Sequence, residues 1–328
     1  MSDREYLVPR EPSGDSVPVA VVLVNYFSST LVNDRIVELH GGSPPQIIVV
    51  VDNSGSAVEA TNLAAIAQSY DCVHIVDMGW NSGFGRAVNA GVKFVRNSTT
   101  IRAFLSINPD TQIPPEFIRD LYLAYSSLGE KQTIMAPAIF QQSVNSSRLW
   151  YAGGRIDRRR WRVTHMGYGS DLDSLNDPLH SGSFFETEFV TGAALLTTVD
   201  VWEELEGYRD DLFMYWEDVD LSIRAIEHNI ALYVCSETVI AHDEGATSST
   251  GPGKSALYYR YMARNRIVVA AASSSLRVVV SAPFLFEGLK VIAAPLIRER
   301  QAGRLRKTAS AFRGTLEGYT TAMRERRR

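Results

Sequence analysis

The chain has 328 residues, 45% of them hydrophobic and 21% charged; this globular composition excludes a disordered chain, a collagen-like repeat and a long coiled coil. Two cysteines, Cys72 and Cys235, are too few for a disulfide framework and point to a reducing compartment. The formal net charge of −4 hides a basic tail: residues 298–328 carry ten Lys/Arg and three Glu, a local +7 that leaves −11 on the rest, which excludes a uniformly basic nucleic-acid binder and marks the tail as a handle for phosphate-rich partners or an anionic membrane surface.

Residues 1–18 are polar, with Pro9, Pro12, Gly14 and Pro18 and no apolar core, and read as a flexible N-terminal arm rather than a signal peptide. Val19–Val24 (VAVVLV) is continuously apolar and β-branched, as a buried parallel strand is. Leu31–Leu39 fits a helix, Ile47–Val51 a strand, Thr61–Tyr70 a helix and Val73–Val76 a strand. Arg86–Val95 fits a helix with Ala87, Ala90 and Phe94 at helical spacing, and Ala103–Ile107 a strand. This alternation predicts a parallel sheet covered by helices. Residues 141–187, rich in Ser, Gly, Asp and Arg, predict loops or an antiparallel hairpin. Phe189–Thr197 returns to strand or strand–turn character. Asp218–His228 is helical and stops near Asn229, and Leu232–Cys235 and Val239–Ala241 are two short strands. Beyond Tyr258 the pattern is helical to the end. Ile267–Ile297 is the most apolar late stretch, but Arg277, Glu287 and Lys290 interrupt it, so no uncharged run reaches the ~18–20 residues that span a bilayer. The predicted organisation is an arm over 1–18, a nucleotide-binding and catalytic domain over 19–250, and a helical, amphipathic and basic region over 251–328.

Ligands of an open parallel sheet sit beyond the carboxyl ends of its strands. The polar residues that follow the predicted strands are Asn25 and Tyr26, then Asp52, Asn53 and Ser54, then Asn108, Pro109 and Asp110. Asp52 is read equally well as a turn-capping acid. Asn81–Gly91 (NSGFGRAVNAG) opens a helix with glycines that bring backbone amides close to a phosphate; it has neither dinucleotide nor P-loop spacing. Asp110 in Asn108-Pro109-Asp110 is a hard ligand suited to Mg²⁺ or Mn²⁺, or part of an Asx-Pro turn. Phe213–Leu221 (FMYWEDVDL) gathers Glu217, Asp218 and Asp220 behind Tyr215 and Trp216. These acids cap a helix, and one of them, held ionised by the helix N-terminus, is suited to accept a proton from a hydroxyl. His242 ends a strand before Asp243, Glu244 and Gly245; facing Asp110, it would complete a divalent-metal pair.

Taken in this order, VNY at 24–26, VDNSGS at 51–56, NSGFGRAVNAG at 81–91, NPDT at 108–111, TGAALL at 191–196, FMYWEDVDL at 213–221 and His242 resemble a GT-A glycosyltransferase of family 2. The likeness is strongest to bacterial rhamnosyltransferases of cell-wall or surface polysaccharide synthesis, and it covers Val19 to Gly245. It implies an α/β GT-A fold: a Rossmann-like, mostly parallel central sheet flanked by helices, here with a C-terminal helical extension. It further implies inverting transfer of a hexose from a nucleotide-diphosphate donor, with Mg²⁺ or Mn²⁺ as cofactor. Asn25 and Tyr26 would border the nucleobase and Asp52 bind it. Asn53, Asn81, Gly83, Arg86 and Asn108 would contact the nucleotide, and Gly192, Ala193 and Trp216 the donor sugar. Asp110 and His242 would hold the metal, with Asn108 replacing the first acid of the family's D-x-D segment. Asp218 would be the catalytic base, with Glu217 beside it. The implied partners are a dTDP- or UDP-linked sugar and a saccharide or polyprenyl-diphosphate-linked acceptor, with dTDP-rhamnose favoured and a UDP-hexose or UDP-galactofuranose as alternatives. The implied location is cytoplasmic, at the inner face of the cell membrane. Two rivals are a sugar-1-phosphate nucleotidyltransferase, which wants a Gly-rich loop where this chain has NYFSST, and a non-catalytic saccharide- or nucleotide-binding protein.

Overall fold

The computed structural model describes residues 16–129, 131–143, 146–171, 184–242, 253–299 and 303–326. Residues 1–15 of the expected arm and Asp243, Glu244 and Gly245 lie outside the described residues.

The first half alternates as its sequence predicts. Strands β1 (Val17–Asn25), β2 (Pro45–Asp52), β3 (Val73–Asp77) and β4 (Ala103–Ile107) are joined by helices α1 (Ser29–Gly41), α2 (Ala57–Ser69) and α3 (Phe84–Ser98). The strands lie side by side in the order β3-β2-β1-β4, all parallel. Val19–Leu23 and Ile47–Val51 are buried without a break, as strands covered on both faces must be. Helix α2 starts four residues before the predicted Thr61 because Ser56 caps it, its hydroxyl accepting the Glu59 N–H.

Beyond β4 come β5 (Thr111–Gln112), α4 (Phe117–Ser126), β6 (Thr133–Ser143), β7 (Ser146–Tyr151), β8 (Gly154–Asp157), β9 (Arg162–His165), β10 (Phe184–Glu186), β11 (Ala194–Thr198), α5 (Val199–Glu204), α6 (Glu217–Glu227) and β12 (Ala231–His242). The sheet continues β4-β11-β6-β12-β10, with β6 and β12 parallel and the other pairs antiparallel. The polar excursion after residue 141 holds two hairpins, β6–β7 and β8–β9. The two short strands expected at 232–235 and 239–241 are one strand. A shift in pairing against β6 between Cys235 and Val239 absorbs the polar Ser236-Glu237 step. Only the strand part of Phe189–Thr197 pairs; Thr191–Ala193 is a turn ahead of β11.

The C-terminal region is helical, as expected: α7 (Ala256–Ser273), α8 (Leu276–Val279), α9 (Ala282–Arg298) and α10 (Arg304–Glu325). Helix α10 presses on α7 where Gly314 and Gly318 leave room; a Cβ there would sit 2.0 Å from the Arg260 carbonyl oxygen and 2.7 Å from that of Arg264. The buried Arg266 guanidinium on α7 donates to the carbonyls of Arg160 and Trp161, in the β8–β9 turn, and of Phe284, and lies 3.9 Å from the Phe284 ring centre. Burial pulls its pKa down to about 10, still fully charged at neutral pH. No described helix is long and apolar enough to cross a membrane.

Candidate active site

Parallel pairing aligns the ends of the first strands: Asn25 stands opposite Asp52, and Asp52 opposite Asp77. The Asn25 side chain is wholly buried and turned to Asp52. Its amide donates to Asp52 Oδ1 (3.2 Å) and Glu59 Oε2 (3.0 Å), and its carbonyl oxygen accepts from Ser28. Asn25 therefore orients Asp52 rather than standing on the open rim. Glu59 joins this network and also binds Ser29. Sequence reasoning missed it, since Ser56-x-x-Glu59 reads locally as a capping box. Tyr26 on one side of Asp52 and Trp80 on the other, after β3, are exposed aromatics; Trp80 was not among the expected site residues.

The glycine-rich entry to α3 is held from two sides. Asn53 donates from its amide to Asn81 Oδ1 and to the Gly83 carbonyl, and accepts from Ser82 N and Oγ. Gly83 has φ 90°, and a Cβ there would lie 2.3 Å from the Phe213 carbonyl oxygen, which already accepts the Phe84 N–H at 3.0 Å. Only glycine satisfies both demands. Arg86 donates to the Asp210 carbonyl at 3.0 Å. These contacts fasten the α3 entry to the loop that leads into α6.

His242 closes β12 opposite Thr111 of β5, and its Nε2 lies 3.2 Å from Asp110 Oδ1. Both side chains are buried, and neither ring nitrogen of His242 has a hydrogen bond. Among the described residues no group of three or more His, Cys, Asp or Glu gathers at one point. An imidazole whose ring nitrogens make no hydrogen bond, with Nε2 against a carboxylate, nevertheless fits Mg²⁺ or Mn²⁺, which bind through one or two protein ligands and let phosphate oxygens and water complete the shell.

Two backbone contacts bring the NPD and ED segments together. Asn108 N–H donates to the Ala193 carbonyl at 2.8 Å, and Gly192 N–H donates to Asp218 Oδ2 at 3.1 Å. The Asp218 Oδ1 accepts from Val219 N–H at 2.8 Å. The turn that delivers these acids is strained: Tyr215 (φ 65°) and Trp216 (φ 73°) are consecutive left-handed residues. Asn265 of α7, with no solvent exposure, clamps it by donating to the Met214 and Tyr215 carbonyls at 2.9 and 2.8 Å. Trp216 is buried, its indole N–H without a hydrogen bond.

The helix N-terminus was expected to keep Asp218 acidic. Burial instead pushes its carboxyl up from the ordinary value, and the Gly192 and Val219 N–H groups and the nearby His165 only partly offset this. Glu217 is raised well above its ordinary value, first by burial and then by the charge of Asp218. The pair therefore splits: Glu217, with Oε2 unbonded, is the harder to ionise, and Asp218 ionises first. Folding takes up a proton at Glu217, so its stability is fullest below the ordinary carboxylate range and falls as pH rises toward the folded value. Glu217→Gln removes that loss: at pH 8 it is expected to raise the melting temperature by about 2 °C or more, and at pH 4 to leave it unchanged. Calorimetric melts at the two pH values check this.

The edge thus gathers a buried carboxylate between two exposed aromatics, a glycine-opened helix, an imidazole–carboxylate pair suited to a cation, and a carboxylate beside a second buried acid that is harder to ionise. Residues 30–177 match the model of glycosyl transferase family 2. The chain is 25% identical, over 77% of its length and 75% of the relative's, to the low-salt glycan biosynthesis hexosyltransferase Agl10 of Haloferax volcanii. In fold it is similar to GalNAc-T7, crystallised with UDP, GalNAc and Mn²⁺ (TM-score 0.56, 15% identity, 83% of this chain and 54% of that one). It is also similar to the mannosyltransferase PcManGT of Pyrobaculum calidifontis, in complex with GDP-Man and Mn²⁺ (TM-score 0.52, 14% identity, 94% and 77%). The chain spans about half the length of the first of these structures. The family match over residues 30–177 and the hexosyltransferase relative together support a glycosyltransferase, and the solved structures share its fold.

Proposed function

We propose that this protein is an inverting, cation-assisted hexosyltransferase. It moves a sugar from a nucleoside-diphosphate donor to a hydroxyl of a saccharide or polyprenyl-diphosphate-linked saccharide, in cell-wall or surface polysaccharide synthesis at the membrane. Motif resemblance favours dTDP-rhamnose as donor; a UDP-hexose or UDP-galactofuranose is the second choice. The observation that carries the reading is the pair of backbone contacts through Gly192 and Ala193, which tie Asp218 to the segment bearing Asp110.

Asp52, held by Asn25 and Ser54, accepts from the base, and Tyr26 and Trp80 flank it. The turn at Thr191–Ala193 borders the sugar. Asp218, only partly buried, takes the proton of the acceptor hydroxyl as it attacks the anomeric carbon from the face opposite the diphosphate, which inverts the configuration. Burial strengthens it as a base, and burial also disfavours a second negative charge on Glu217. Asp110 and His242 would hold a divalent cation, which would supply charge neutralisation for the departing diphosphate.

Titration calorimetry with UDP, dTDP and their sugar conjugates, with and without Mn²⁺, tests the assignment. Mn²⁺ is expected to tighten nucleotide binding about tenfold or more. Asp110→Ala with His242→Ala should abolish that increment and leave the cation-independent affinity unchanged. An increment that survives both substitutions overturns the metal assignment, and failure of every nucleotide to bind overturns the function.

A further inference from the structure

We infer that α9 and α10 form the face by which this protein rests on an anionic lipid bilayer. The inference deepens the membrane location proposed above, on which it rests, by naming the surface and the chemistry of its partner.

Helix α9 exposes Leu285, Phe286, Leu289, Leu296 and Ile297. At 3.6 residues per turn these fall in one sector of roughly 120°. Its other side buries Phe284, Glu287 and Pro295. Helix α10 exposes Leu305, Phe312, Leu316 and Met323, spaced so that they share one line along the helix, while Ala311, Gly314, Gly318 and Ala322 face inward. An amphipathic helix of a globular protein normally buries its large apolar side. Here α10 buries its small residues against α7 and turns its large ones out; Leu305 is 74% exposed, and Ile297 on α9 is 81%.

A cavity of about 300 Å³ lies beside the stripes, lined by Leu285, Leu289 and Ile292 from α9, Thr315 and Tyr319 from α10, and Ala263 and Ile267 from α7; the exposed Phe312 and Leu316 lie one turn from its α10 residues. Exposed apolar patches of this kind mark interfaces. Charge decides the occupant. Lys290, paired with Glu287, borders the α9 stripe, and the exposed Arg306 and Arg324 lie to one side of the α10 line; residues 298–328 carry a net charge of +7. A second copy would set +7 against +7, whereas an anionic bilayer complements both the charge and the apolar stripes. With no described helix able to span, the pair lies along the surface.

The test is flotation of the full chain with vesicles of mixed phosphatidylglycerol and phosphatidylcholine, and with phosphatidylcholine alone, at about 0.1 M salt. Binding to the anionic vesicles is expected to exceed that to the neutral ones about tenfold. Combined Phe286→Glu, Ile297→Glu and Phe312→Glu, all at exposed positions, should lower it about tenfold or more while melting temperature and UDP or dTDP affinity stay unchanged. Arg304→Gln with Arg306→Gln, which leaves the apolar stripes intact, should lower it several-fold. Unchanged binding by both variants overturns this face while sparing the membrane location. Wild type that floats with neither vesicle overturns both, and retained nucleotide binding then leaves the transferase reading standing. A wild-type dimer in analytical ultracentrifugation that the triple variant dissociates assigns this face to a second copy and overturns the inference.

Discussion

Replacing Asp218 with Asn is expected to lower turnover about 10²–10⁴-fold while leaving nucleotide and Mn²⁺ binding near wild type. The carboxylate is the group that ionises first in the Glu217–Asp218 pair, since two backbone N–H groups point at its oxygens and none at Glu217 Oε2. An amide of the same shape can still accept one N–H but cannot take a proton at neutral pH. Because burial raises Asp218 above the ordinary carboxylate value, wild-type turnover should fall on the acid side at a pH higher than an exposed aspartate would give. Steady-state rates across pH, paired with calorimetric nucleotide binding, separate loss of the base from loss of the site. Turnover within a few-fold of wild type in Asp218→Asn would remove it as the base.

Asn265→Ala is expected to cost about 2–4 kcal/mol of stability and at least tenfold in turnover, with nucleotide affinity retained. The first figure follows from stranding two part-buried carbonyls, those of Met214 and Tyr215, at about 1–2 kcal/mol each, the lower part of the range for buried groups. The second follows because the clamp holds two left-handed residues immediately before the acids; once released, the turn relaxes, and a base displaced by about 1 Å loses most of its advantage. Asn265→Asp keeps the volume and offers acceptors where donors are needed, so it should be as damaging as alanine. Thermal melts and a separate reading of kcat and KM check this; a lower melting temperature with unchanged kcat would reduce the clamp to a purely structural role.

Much of the parallel half is legible in the chain because buried strands announce themselves: VAVVLV and IIVVV need no context to be read. Local patterning says nothing of α4 or β6, where Pro137 and polar ends blur the signal in TIMAPAIFQQS. It also splits β12 at Ser236-Glu237, since a bulge is invisible without the partner strand. The acids and His242 stand out as polar residues at strand and helix ends, and the structure does bring Asp110 to His242 and ties Asp218 to the same rim. What stays hidden is long-range. Asn265 lies fifty residues from the turn it clamps. His165 reaches the vicinity of Asp218 only through the β8–β9 hairpin. The direction of the Asp218 shift depends on burial, which a helix-end argument does not contain.

Three successive residues of α7 grip two separate loops: Arg264 the Asp211 carbonyl and Asn265 the turn at 214–215 in the connection before α6, and Arg266 the hairpin at 160–161. A single helical turn therefore behaves as a shared hub for loops that the chain builds far apart. Grafting the terminal helices of a related enzyme onto this body would succeed only if the gripped loops travelled with them, so changes of specificity by recombination should arrive as matched sets rather than as isolated tail swaps.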